Sequence, residues 1–329
     1  MPSFDKPSLS DLEAALRVVS LPMRVKFRGL RMRELAIFEG PSGFTEWSPF
    51  LEYETNEAAA WLAGALEFGW GQTPALLRDS VGINATLAAV PAAEIESALS
   101  GFGDFNTVKI KVAEQGQSIE DDLARIRAVY STYPGVRIRL DANGGFSVEA
   151  AIELAKQLAI ESIDLEYFEQ PVKTIAELAE VRIKLARIGT LVAADESVRK
   201  VSDPLAVAQA GAADLLVIKA QPLGGISNAM SIIEAAKLPV TISSALESSI
   251  GISMGLHLAA ATEYANRDAG LGTLALFEDD VCDEPLIAID AKLPVTRVVP
   301  SEAKMRKYAV DTERRDWWLQ RLRDCYAVL

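Results

Sequence analysis

Histidine is all but missing from this chain: His257 is the single imidazole in 329 residues. It lies in Ile252-Ser253-Met254-Gly255-Leu256-His257-Leu258-Ala259, an apolar helical stretch where a packed side chain is expected. Histidine-based triads, His–Asp proton relays and imidazole zinc sites therefore have little support, and acid–base work falls to lysines and carboxylates. Cysteine is nearly as scarce. Cys282 and Cys325 follow no metal or redox spacing, which suits a reducing compartment. No apolar run is long enough to span a bilayer, and Met1-Pro2-Ser3-Phe4-Asp5-Lys6 lacks the basic-then-apolar order of a signal peptide, so a cytoplasmic protein is expected. Positive charge is in deficit: 33 Lys and Arg against 46 Asp and Glu leave −13, which repels nucleic acid and anionic membrane alike. A small anionic substrate stays admissible, because lysines and a metal can reverse the local field.

Half of the residues are hydrophobic, and the chain exceeds a ~250-residue barrel by enough to add a smaller unit. Leu30–Phe38 alternates as a strand, Glu39-Gly40-Pro41-Ser42-Gly43 is a turn cluster, and Phe44–Trp47 returns as a second strand. A helix capped by Thr55 or Asn56 should carry Ala58 to Phe68. Strands followed by a helix predict an α+β capping domain over residues 1–85. From about Val81 the rhythm alternates strictly. Strands are expected at Ile83–Val90, Thr107–Val112, Val136–Asp141, Ile163–Glu169, Leu191–Asp195, Leu215–Lys219, Val240–Ser244 and Gly272–Phe277. Helical patterns fall between them at Ser118–Tyr130, Val148–Leu158, Ile175–Ala186 and Ile226–Ala236. This predicts an α/β fold, a closed parallel barrel over residues 86–285, with the charged, aromatic segment 286–329 packing back on the capping domain.

Five charged residues recur once per strand–helix unit: Lys111, Asp141, Glu169, Asp195 and Lys219, at spacings of 30, 28, 26 and 24 residues. A βα unit takes roughly 30 residues, so these groups would stand at the C-terminal strand ends, where barrel chemistry occurs. Singly, each acid reads better as a loop or helix cap than as a ligand. Three in consecutive units repel one another, and a bound cation relieves that repulsion. Oxygen ligands without His or Cys select a hard ion, Mg²⁺ or Mn²⁺. Lys109 and Lys111 share one strand face, whose alternative reading is a solvated edge. Lys219 follows the apolar Leu215-Leu216-Val217-Ile218 and admits a second reading, as a Schiff-base lysine. The run Ser243–Ser249 could supply hydroxyls or amides to a ligand, or merely cap the next helix. Arg28-Gly29 could close over an anionic substrate.

With these residues in place the chain resembles the enolase superfamily, and within it the muconate-lactonizing-type group. Thr107-Val108-Lys109-Ile110-Lys111-Val112-Ala113-Glu114, Asp141-Ala142-Asn143-Gly144, Leu165-Glu166-Tyr167-Phe168-Glu169-Gln170-Pro171, Ala194-Asp195-Glu196-Ser197, Pro222-Leu223-Gly224-Gly225 and Gly270–Leu276 match its motifs in order. The likeness runs from about Leu21 to Val281. It implies a modified TIM barrel, (β/α)7β, beneath a cap built from both chain ends. It also implies Mg²⁺ on Asp141, Glu169 and Asp195, with Lys111 and Lys219 on opposite faces of the substrate. Substrate contacts are expected from Lys109, Asn143, Ser244, Glu247, Gly272, Thr273 and Arg28. The implied reaction is dehydration of 2-succinyl-6-hydroxy-2,4-cyclohexadiene-1-carboxylate, a small anionic carboxylate, toward menaquinone; a monomer is favoured, with an oligomer left open. Racemisation of N-succinylamino acids by the same residues is the alternative. Gly43-Phe44-Thr45-Glu46 departs from the family's Gly-Trp-Gly-Glu turn at two positions, and Glu247 stands where Asp is expected.

Overall fold

The computed structural model describes residues 4–27, 29–199 and 204–329. The chain opens with a short helix, Leu9–Ala15, and an antiparallel meander of β1 (Arg17–Phe27), β2 (Leu30–Gly40) and β3 (Gly43–Trp47). The sequence pattern did not predict β1, for a physical reason. Pro22 sits inside it without an N–H to donate, and the β1–β2 register shifts between Pro22 and Phe27. The helix Thr55–Trp70 lies against β3 and β2. Glu54, not Thr55 or Asn56, occupies its cap position, and makes no side-chain cap bond. Gly40 meets this helix so closely that a Cβ would stand 2.2 Å from the Gly69 carbonyl oxygen, a contact only glycine permits.

The chain's last helix, Thr312–Ala327, returns to these elements. Trp318 is fully buried, its ring meets Trp47 edge-on at 5.2 Å, and its Nε1–H donates to Glu34 at 2.7 Å. Arg321 donates to the carbonyls of Phe50 and Tyr53, both at 2.9 Å.

After β4 (Ser80–Gly82) come seven parallel strands: β5 (Ala85–Leu87), β6 (Thr107–Lys111), β7 (Arg137–Asp141), β8 (Leu165–Glu169), β9 (Val192–Ala194), β10 (Leu215–Ile218) and β11 (Val240–Ile242). A last strand, β12 (Lys292–Pro294), pairs antiparallel with β4. The parallel strands follow one another in order, each beside its predecessor. Capped helices connect several of them. Ser118–Asp121 and Thr174–Glu177 each form a reciprocal capping box that starts the following helix.

The ring closes through residues 269–270 rather than through a strand at Gly272–Phe277. Ala269 bridges Ile83 and Gly270 bridges Ser243, joining the two edges of the sheet. The Gly270 N–H donates to the Ile242 carbonyl at 2.8 Å, and its own carbonyl accepts from the Ser244 N–H at 3.0 Å. A Cβ on Gly270 would come within 2.6 Å of Ser243 Oγ, so close passage is reserved for glycine. The expected eighth strand is instead a 3₁₀ turn, Thr273–Leu276, whose Leu274 and Leu276 are buried by packing alone. A short apolar run carries no mark that separates these two forms of burial. Likewise the strand expected at Ile83–Val90 is interrupted, with only Ala85–Leu87 in the sheet.

Inside the barrel the register stacks side chains in layers. Lys109, Arg139 and Tyr167 are register partners on β6–β8, and Lys111, Asp141 and Glu169 form the next layer up. His257 packs as expected: it is buried, its Nδ1 lies 2.7 Å from the Ser253 carbonyl, and burial lowers its pKa. Both cysteines are free and buried. Among the described residues no helix is long and apolar enough to cross a membrane.

Candidate active site

The strand register fixes which groups meet. Asp141 pairs with Glu169 across β7 and β8, and Glu169 pairs with Ala193 on β9. Two residues on from Ala193, on the same face, stands Asp195. Lysines link these acids. Lys109 Nζ donates to both oxygens of Glu169 at 3.0 Å and lies 3.1 Å from Asp141 Oδ2. Lys111 Nζ donates to Asp141 Oδ2 and to Asn143 Oδ1, each at 2.6 Å. Lys219 Nζ donates to Asp195 Oδ2 at 2.5 Å.

A cavity with about 50 Å³ of space for water-sized groups opens over this array. Lys109, Lys111, Asp141, Asn143, Asp195 and Lys219 all line it. From above, Phe27 of β1 lies with its ring 5.5 Å from Lys111 Nζ, and Phe50 and Leu246 complete the roof. Ser244 and Thr273 line the wall, their hydroxyls 2.5 Å apart.

Electrostatics divides the three acids. Burial would raise the pKa of Asp141, but Lys109 and Lys111 hold it well below the usual carboxylate range. Glu169 goes the other way, to about 7, because burial and then the Asp141 charge outweigh Lys109. Burial alone would lower the pKa of Lys109; Asp141 and Glu169 reverse that and raise it.

Not every expected residue reaches the cavity. Glu169 has no exposed surface and lies beneath Lys109. Glu247 turns away: its Oε2 accepts from the Ala245 N–H at 2.6 Å, and Gln221 approaches Oε1 at 3.5 Å. Burial and the neighbouring Glu46 charge push its pKa to about 7. Gly272 faces Ile83 and Phe102, packing where a side chain would collide. Arg28 lies outside the described residues. Ser248, in the run with two open readings, caps the helix Ser249–Ala261 through its hydroxyl. Phe27, Phe50 and Leu246 were not named as site residues, although Phe27 adjoins Arg28 and Leu246 lies within the Ser243–Ser249 run, because an apolar side chain carries no chemical mark of a site.

Two family models match the chain: one described as Enolase C-terminal domain-like over residues 91–299, and one described as Enolase N-terminal domain-like over residues 18–69. The chain belongs to the enolase superfamily. Among its relatives, o-succinylbenzoate synthase of Mycolicibacterium smegmatis is 47% identical over 323 residues, covering 98% of each chain. The protein of the same name from Mycobacterium marinum is 48% identical over 322 residues, covering 98% of this chain and 96% of that one. The fold is similar to that of muconate lactonizing enzyme from Pseudomonas putida, with a TM-score of 0.72 at 18% identity over 90% of this chain and 98% of that one. It is also similar to L-Ala-D/L-Glu epimerase from Bacillus subtilis, with a TM-score of 0.73 at 21% identity over 87% and 96%.

Enolase-superfamily enzymes use divalent metal ions. The donor chemistry here fits one. Asp141 and Glu169 are near enough for a single ammonium nitrogen to touch both, at 3.1 and 3.0 Å, and every candidate ligand is a carboxylate oxygen. After burial, the Asp141 charge is the next cause of the raised Glu169 pKa, so two acids crowd one another here. Among the described residues no three acidic, histidine or cysteine side chains form a ready cation cluster. Lys109 and Lys219 sit on the carboxylate oxygens instead, so a cation must displace ammonium groups to reach them.

Proposed function

We propose that this enzyme dehydrates 2-succinyl-6-hydroxy-2,4-cyclohexadiene-1-carboxylate to o-succinylbenzoate, on the route to menaquinone. The observation that carries the reading is the placement of Lys111 and Lys219 on one cavity, each anchored to a carboxylate from a different strand end. Relatives at 47–48% identity that bear the synthase name support the choice of substrate.

Asp141, Glu169 and Asp195 would hold the ion, for which oxygen-only donors favour Mg²⁺. When bound, it supplies charge neutralisation to the substrate carboxylate. Lys111 takes the proton α to that carboxylate. For this its amine must leave Asp141 Oδ2, and Asn143 Oδ1 at 2.6 Å keeps it within reach of the cavity. The electrons of the broken C–H bond pass into an enediolate, and Lys219 stays an ammonium to stabilise that charge. The ring then expels its hydroxyl group. Lys111, now an ammonium, gives the proton back to the leaving hydroxide, which departs as water. Phe27 and Leu246 screen the reacting atoms from solvent.

We further read residues 1–85 and 286–329 as one capping unit over a barrel of residues 86–285, in a monomeric cytoplasmic enzyme acting on a small anionic carboxylate. The test is an ultraviolet assay for the aromatic product, run beside N-succinylamino acids in D₂O. Product formation supports the dehydratase. Deuterium exchange and racemisation without aromatisation would overturn it in favour of the racemase.

A further inference from the structure

Two charged residues of the N-terminal sheet are buried, and neither belongs to the reaction described above. Arg33 of β2 is 1% exposed and Glu46 of β3 is 0% exposed. Both grip the segment after β11, more than 200 residues away in sequence. Arg33 Nε donates to the Leu246 carbonyl at 3.0 Å, and its Nη2 donates to the Ala245 carbonyl at 3.3 Å and to that of Ser48. The carboxylate of Glu46 accepts from the other side: Oε2 from the Ser248 N–H at 3.0 Å and the Ser248 hydroxyl at 2.5 Å, Oε1 from the Ser48 hydroxyl at 2.6 Å.

The gripped segment has a conformation that needs gripping. Leu246 has φ +62°, a left-handed backbone that a branched non-glycine residue rarely adopts. Its side chain and Ala245 form part of the cavity's roof and wall, and Arg33 also stacks its guanidinium 4.3 Å from the Phe50 ring, another piece of the roof. Arg33 suits the task because a rigid planar fork can satisfy several carbonyls at once. A lysine has one point of charge and cannot span them.

We propose that Arg33 and Glu46 are positioning residues: a clamp from the N-terminal sheet that holds residues 245–248 in the strained shape on which substrate fit depends. The clamp rests on the reading of the cavity as the reaction site. It makes the cavity roof a shared product of two distant parts of the chain, so the N-terminal sheet sets the shape of the pocket as well as covering it.

The test uses the full chain with Arg33→Lys, Leu246→Gly and the two combined. Arg33→Lys keeps the buried charge and loses the fork. It is expected to lower kcat/KM tenfold or more, chiefly through KM, and to speed hydrogen exchange of amides 244–248 about tenfold while those of 215–218 stay unchanged. Glycine adopts a left-handed backbone without strain but removes the Leu246 side chain from the cavity, so the rescue is read in exchange and not in turnover: Leu246→Gly in the Arg33→Lys background should recover threefold or more of the lost protection of amides 244–248, and add none in the wild type. A purely structural role for Arg33 predicts no such rescue. The clamp is overturned by a folded Arg33→Lys enzyme with wild-type kcat/KM and exchange, or by Leu246→Gly changing the exchange of amides 244–248 equally in both backgrounds. If Arg33→Lys does not fold, Glu46→Gln takes its place with the same expectations. A wild type that forms no aromatic product would sink the functional reading alone, and the exchange comparison would still decide the clamp.

Discussion

Replacing Lys109 by methionine separates the roles of the buried ammonium and of an added cation. Lys109 is 6% exposed and makes three contacts of 3.0 to 3.1 Å with two carboxylates. Methionine keeps much of the side chain's length and removes the charge. Breaking a buried ion pair from one side costs about 3–5 kcal/mol, because the partner is left uncompensated. At roughly 2–4 °C per kcal/mol for domains of comparable size, Lys109→Met should melt on the order of 10 °C below the wild type in EDTA. A divalent ion then takes over the ammonium's work. At a hundredfold excess over Kd it stabilises by about 2.7 kcal/mol, and more in the variant than in the wild type, where Lys109 must first be displaced. The assay is a thermal melt of both proteins in EDTA and across a Mg²⁺ titration. Equal melting temperatures in EDTA, or a smaller metal-induced rise in the variant, would refute the reasoning.

Other substitutions probe separate parts of the structure. Glu247 has its folded pKa raised to about 7, so its contribution to stability is full below the unfolded value of 4.5 and is lost as pH rises through 7. Glu247→Gln should therefore gain stability relative to the wild type between pH 6 and pH 8, by about 3 kcal/mol at most, in paired denaturant melts. Trp318→Ala should cost about 3–5 kcal/mol in the same melts, since it empties a fully buried site against Trp47 and leaves Glu34 short of a donor. Asp279 is held well below the usual carboxylate range by Lys304, Tyr308 and Lys307 despite partial burial, so the deficit of Asp279→Asn should be present at pH 7 and vanish in acid; a deficit that persists there would contradict it.

Much of this was legible in the sequence because barrel strands announce themselves twice. Val108, Ile110 and Val112 mark an outward apolar face, and the charges at Lys111, Asp141 and Glu169 mark where the strands end. Lys111, Asp141, Asp195 and Lys219 accordingly meet at one cavity. Closure of the ring was misplaced because Ala269-Gly270 pairs through two isolated bridges, too short a stretch to leave a period, while the apolar Leu274–Phe277 run nearby imitates a strand. β1 was hidden by Pro22. Arg33 reads as one more surface arginine in an alternating strand, since its partners at Ala245 and Leu246 stand more than 200 residues away. The order of contacts among the acids was also beyond the sequence. Spacing shows that three carboxylates share a strand-end layer, and says nothing of whether an ammonium or a cation sits among them.

The most direct measurement is ultraviolet detection of o-succinylbenzoate with purified enzyme, comparing wild type with and without Mg²⁺ and comparing Lys111→Ala at saturating Mg²⁺. Product from the wild type only when the ion is present, and none above background from a Lys111→Ala enzyme that still folds, is the predicted result. Undiminished turnover in EDTA, or in Lys111→Ala, would contradict it.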